Sequence, residues 1–279
     1  MSTPTVLVHR DPAELSAAVA ARLITRLADV QSARGAASLV MTGGSIARST
    51  LEAVAESPAR GAVDWRRLDV WWGDERFLPA GDEERNDTLA REALLDAVPV
   101  DPARVHPMPA SDGPDGDDPE AAAARYAAEL ARAARPEDHG PAPAFDVCLL
   151  GVGPDGHIAS LFPEHPALYD DAPVLAVRNA PKPPPTRISL GFAVIQGSRE
   201  VWAVVAGEDK AKAVALALSD AAGTRCPPRR PKAGTGRSGC STRQRPAGCP
   251  PGSVGSPRPS SRSGLSQPPV EVGVGCGQV

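Results

Sequence analysis

The residues best suited to chemistry lie in the run Gly151-Val152-Gly153-Pro154-Asp155-Gly156-His157-Ile158-Ala159-Ser160-Leu161-Phe162-Pro163. An imidazole titrates near working pH, so a well-placed histidine can take a proton and return it. His157 follows an apolar stretch and three glycines, with Asp155 two residues away to orient it. His9, His106, His139 and His165 lack such a setting and read as structural. A second group is Trp71-Trp72-Gly73-Asp74-Glu75-Arg76, where two acids and an arginine follow a buried-type run. Arg76 offers a planar fork suited to phosphate, and Asp74 or Glu75 could orient it or hold a sugar hydroxyl. The third is Thr42-Gly43-Gly44-Ser45. Its glycines let the backbone approach a ligand, and unpaired N–H groups at a helix start favour an anion. Arg187 and Lys210 add cations at the ends of further predicted elements, whereas Lys212 reads as solvated.

No metal and no other cofactor is expected, because residues 1–222 contain no His or Cys cluster with zinc-like spacing. Gly151, Gly153 and Gly156 match the dinucleotide fingerprint letter for letter. However, Pro154 and Asp155 inside the turn, and the short segment after it, leave little room for the long helix that fingerprint requires.

These residues need a scaffold that brings separate loops together. Apolar runs at 5–9, 37–42, 67–72, 145–150, 174–177 and 201–206 read as strands. Between them lie helical patterns. Asp11-Pro12-Ala13-Glu14 starts a helix through Leu15, Val19, Leu23, Leu27 and Val30. Others follow Ser45 as far as Glu56, begin at Asn86 as a cap, and span 119–134 and 209–218. Strands alternating with helices predict an α/β fold, an open doubly wound, mostly parallel sheet with helices on both faces. Ligands of such sheets bind at the carboxyl ends of the strands, where all three motifs fall.

Composition divides the chain at residue 222. Over 279 residues the net charge is −4, but 223–279 holds nine Lys or Arg and one acid, Glu271. That segment carries +8 and leaves −12 on 1–222. It also holds ten Pro, eleven Gly and four of the five cysteines, with no Trp, Phe, Tyr, Ile or Met. Such a sequence buries too little apolar surface to offset chain entropy, so 223–279 reads as a disordered tail after a 1–222 domain. Its charge without aromatic residues does not suit a nucleic-acid arm. No apolar run approaches the ~20 residues needed to span a bilayer, and the first residues lack signal-peptide character. A cytoplasmic protein without membrane or nucleic-acid partners is the expectation.

Taken together, Trp72 to Pro79 with Asn86, Gly151 to Pro163, Arg187 to Leu190 and Gly207 to Lys210 resemble the 6-phosphogluconolactonase family, within the glucosamine/galactosamine-6-phosphate isomerase superfamily. The order and spacing agree from residue 5 to about residue 220. Ile46-Ala47 departs from the Thr-Pro usual there, which bears on the shape of the phosphate loop. The resemblance implies a Rossmann-like fold and a metal-independent hydrolase of the oxidative pentose phosphate pathway, with a sugar-phosphate lactone as partner. It implies His157 as general base on water and Asp155 as its holder. Gly43, Gly44, Ser45, Asp74, Glu75, Arg76, Gly153, Arg187 and Lys210 would then contact substrate, with Ser45, Arg187 and Lys210 on the phosphate.

Two other readings stand beside this one. A glucosamine-6-phosphate deaminase shares the Asp-Gly-His motif but continues it with Ala-Phe-Asn-Glu-Pro, where this chain has Ser160-Leu161-Phe162-Pro163. A non-catalytic sugar-phosphate sensor would carry a helix-turn-helix ahead of the sheet and would leave His157 and Asp155 without a task. The resemblance further implies a closing strand of the type Leu-Trp-x-x-Asp and a helix beyond Ser219. Read one base out of frame, codons for residues 238–247 permit Trp-Leu-Leu-Asp-Ala-Ala-Ala-Ala-Gly. A single-base deletion near residues 220–225 is therefore expected, and resequencing the gene decides it.

Overall fold

The computed structural model describes residues 5–222 and 270–275. A six-stranded sheet forms the centre. Its strands are β1 (Thr5–His9), β2 (Ala37–Met41), β3 (Leu68–Trp72), β5 (Val147–Gly151), β8 (Val201–Ala206) and β9 (Val270–Gly275). The order is β1-β9-β8-β5-β2-β3, and every pairing is parallel. Beside it lies a smaller antiparallel sheet, β4-β7-β6, built from β4 (Asp74–Arg76), β6 (Val174–Val177) and β7 (Arg187–Leu190). The helices are α1 (Pro12–Arg34), α2 (Ser45–Glu56), α3 (Asn86–Ala93), α4 (Pro119–Ala133), α5 (Phe192–Gln196) and α6 (Ala211–Ala222).

Local chemistry explains these elements. Asp11 caps α1 by accepting from the Glu14 N–H at 2.8 Å, Pro12 opens the helix, and Gly35 ends it at φ 82°. Its apolar stripe, Leu15, Leu23 and Leu27 among others, is buried. The central strands β2, β3 and β5 are buried along nearly their whole length, as expected of a parallel sheet covered on both faces. At the end of β3, Tyr126 of α4 accepts from the Trp72 N–H and donates to the His106 carbonyl. His106 itself stacks on Trp71 with ring centres 3.9 Å apart, a structural histidine as read. No helix among the described residues is long and apolar enough to cross a membrane.

The structure corrects the sequence reading in three places. Val174–Val177 is a strand, but it belongs to the antiparallel sheet, because α4 packs on β6 and β7 and closes that layer separately. Asn86 does not cap α3 with its side chain; the cap comes from elsewhere, as described below. Residues 270–275, read as disordered with the rest of the tail, form β9 between β1 and β8. There Val270, Val272 and Val274 alternate with Glu271, Gly273 and Gly275, a strand period that tail-wide composition dilutes. The segment 223–269, on which all but the first residues of the frame-shift reading fall, lies outside the described residues.

Candidate active site

Five strand ends converge on one cleft with a volume of about 270 Å³. β2 delivers Gly43, Gly44 and Ser45, and its neighbour β5 delivers Gly151 to His157. Gly73, whose N–H donates to the Met41 carbonyl at 2.9 Å, turns the chain from β3 into β4. Asp74 and Arg76 thereby reach the same opening. Arg187 comes from β7, directly opposite Arg76 in register, and Lys210 from the turn after β8.

The catalytic candidates form a pair. His157 Nδ1 stands 2.6 Å from Asp155 Oδ1. A carboxylate can only accept, so Nδ1 carries the proton and Nε2 is left with the lone pair. Burial pulls the His157 pKa below its ordinary value; the bond and charge of Asp155 work against this, and the Lys182 cation adds to it. The ring is therefore neutral at neutral pH. Burial pushes Asp155 upward, but the hydrogen bond and charge of His157, with Lys182, outweigh it and leave the carboxyl low. His157 also packs on Phe162, with ring centres 4.5 Å apart.

Gly153 lines the cleft and also makes room for this pair. A Cβ there would lie 2.1–2.2 Å from the His157 ring and 2.6 Å from Asp155 Oδ1. Gly153→Ala is expected to lower kcat by about tenfold to a hundredfold through displacement of the ring. The thermal midpoint should stay near wild type, as steady-state kinetics and a melting curve would report. Normal kcat would show that the loop absorbs the methyl.

In the same cleft, α2 begins at Ser45 after Gly44 in a positive-φ conformation, with no side-chain cap. Its first N–H groups and the helix dipole suit an anion. Lys210 flanks the same cleft and donates to the Ala206 carbonyl. Arg187 is buried and spends Nε on Pro184 and Nη2 on Lys182 and Pro183. Burial first, and then Arg76 facing it, pull its pKa down, while Asp74 offsets part of this. Two like charges directly opposite in a sheet cost stability, which an anion between them would offset.

Residues 10–238 match the family described as glucosamine-6-phosphate isomerases/6-phosphogluconolactonase. The chain belongs to this family. A 6-phosphogluconolactonase of Streptomyces coelicolor is 60% identical over 81% of this chain and 87% of its own length. Another, from Mycobacterium leprae, is 46% identical over 77% and 86%. The solved 6-phosphogluconolactonase of Trypanosoma brucei superposes with a TM-score of 0.66 at 31% identity, covering 78% of this chain and 87% of that one. The family match runs past the boundary at residue 222 that composition suggests.

Within this member of the glucosamine-6-phosphate isomerase/6-phosphogluconolactonase family, one predicted contact is turned away from the cleft. Glu75 is fully buried, because alternation along β4 sends it opposite to Asp74 and Arg76. Its Oε1 accepts from the Arg76 and Asn86 N–H groups, and Oε2 from that of Asp87. Glu75, not Asn86, thus caps α3. Asn86 is freed to donate to the Asp74 carbonyl at 2.8 Å, and it lines the cleft against Gly43. Asp74 reaches the cleft but also accepts from Ser160 Oγ at 2.7 Å, tying the histidine loop to β4. Lys182 also lines the cleft and was not singled out from the sequence. Its signal was a lysine set among prolines five residues before Arg187.

Proposed function

We propose that this chain hydrolyses 6-phospho-D-glucono-1,5-lactone to 6-phosphogluconate, a step of the oxidative pentose phosphate pathway. One observation carries the reading. A neutral histidine held by Asp155 opens on a cleft that is also lined by a helix start without a side-chain cap, at Ser45, and by Lys210. That is a base and an anion seat in one cleft.

The chemistry follows from the proton positions. His157 Nε2 takes a proton from water as the water oxygen bonds to the lactone carbonyl carbon. The carbonyl electrons move to oxygen, and the tetrahedral oxyanion is stabilised by a nearby cation. Arg76 lines the cleft and is the residue we assign to that charge. As the carbonyl re-forms, the bond to the ring oxygen breaks. His157 returns its proton to that oxygen, which becomes the C5 hydroxyl, and the new acid ionises in water. Asp155 keeps Nδ1 protonated throughout. Gly43, Gly44, Ser45 and Lys210 hold the 6-phosphate, with Arg187 beside them.

Freshly prepared 6-phosphogluconolactone should be opened well above its spontaneous rate, and no ammonia should be released from glucosamine 6-phosphate. Because the base must be neutral, kcat/KM should fall on the acid side with a midpoint below about 6.5. No rate above background, or an acid limb centred above 7, would overturn the assignment.

A further inference from the structure

The cations of the cleft divide by what they touch. Lys210 follows β8 and bonds the Ala206 carbonyl. Lys182 stands at the catalytic pair instead, with Nζ 3.6 Å from Asp155 Oδ1. That is the same oxygen His157 Nδ1 approaches at 2.6 Å, so one carboxylate oxygen serves two groups. The backbone bearing Lys182 is fixed from below. The buried Arg187 guanidinium donates to the carbonyls of Lys182, Pro183 and Pro184 at 3.2, 3.0 and 3.1 Å. These bonds brace the backbone from which the Lys182 side chain reaches Asp155.

We propose that Lys182 is a positioning residue for lactone opening, holding Asp155 and keeping His157 in its neutral, proton-accepting form. The inference rests on the hydrolytic role assigned to His157 above. Protonating His157 would place a second positive charge beside the Lys182 ammonium, with one Asp155 oxygen shared between them. That repulsion disfavours the imidazolium in the resting protein. The charged groups facing the ring are Asp155, Lys182 and Asp74. Asp155 and Asp74 favour the imidazolium and Lys182 opposes it. Phe162 covers one side of the ring, and Arg187 lies over the same phenyl ring at 5.7 Å. When the oxyanion forms, negative charge enters the cleft and the imidazolium becomes tolerable at the moment it is needed.

The test is a titration of the His157 ring protons by NMR in the full chain, between pH 4.5 and 8. Lys182→Gln should raise the midpoint by about half a pH unit, and Lys182→Arg should bring it back close to wild type. The acid limb of kcat/KM should move with the midpoint in Lys182→Gln. A midpoint that stays put or falls in Lys182→Gln, with an amide spectrum matching wild type, overturns the proposal. The titration needs no turnover. A protein without lactonase activity would still report on Lys182, so the two readings fail separately.

Discussion

His157→Ala is expected to lower kcat on 6-phosphogluconolactone by about 10²-fold or more, with KM within about threefold of wild type. The ring is the group that moves the proton, and the anion seat at the start of α2 lies on another element. Ground-state binding through Ser45 and Lys210 should therefore survive. The loss is confined to the step in which water becomes a nucleophile. Residual turnover is expected because Arg76 and the backbone donors remain, and lactones are reactive toward water. Asp155→Asn sharpens the argument. Its amide would donate toward Nδ1, favour the proton on Nε2, and remove the lone pair from the cleft. Steady-state kinetics corrected for spontaneous hydrolysis, with 6-phosphogluconate binding measured separately, would check both. If His157→Ala keeps kcat within about threefold, His157 is not the base. If binding collapses instead, the ring holds substrate rather than activating water.

Much of this site was legible because its residues sit where an apolar run stops. Gly43 to Ser45, Asp74, Arg76, Gly153, His157, Arg187 and Lys210 all line the cleft, and Asp155 stands behind the histidine. The strands β2, β3, β5 and β8 were readable for the same reason, since buried parallel strands are continuous apolar runs. The small sheet was hidden because two of its strands carry charge. Asp74-Glu75-Arg76 looks like a solvated loop, yet it pairs with β7 residue by residue. Had those three been read as a strand, alternation alone would have separated Glu75 from its neighbours. Lys182 and Asn86 owe their places to tertiary contacts with Arg187 and Glu75, which a proline-flanked lysine or a helix-start asparagine hints at but does not specify.

Glu75 governs the second large effect, on stability. Burial drives its pKa up to about 7, even though Arg85 lies 3.7 Å away and three backbone N–H groups favour the charge. A carboxyl whose folded pKa exceeds its unfolded value of about 4.5 contributes fully below that value. The contribution is then lost as pH rises toward 7, because the folded state holds the proton that the unfolded state has released. The amount is on the order of 3 kcal/mol, at about 1.4 per unit. Glu75→Ala removes the cap of α3 and leaves the buried Arg85 with Asp87 as its remaining acidic neighbour. A loss of about 3 kcal/mol is expected at pH 5, from the lost cap and the proton the folded state retains, and a smaller one at pH 8 where wild type has already given up part of it. Glu75→Gln, uncharged at every pH, should keep the volume and abolish the same slope. Urea melts of the three proteins between pH 5 and 8 would show this as a gap between wild type and variant that narrows with pH. A gap of constant size would mean that the Glu75 carboxyl titrates outside this range. Activity should fall alongside stability, because the carboxylate that caps α3 also holds the Arg76 backbone that presents its guanidinium to the cleft.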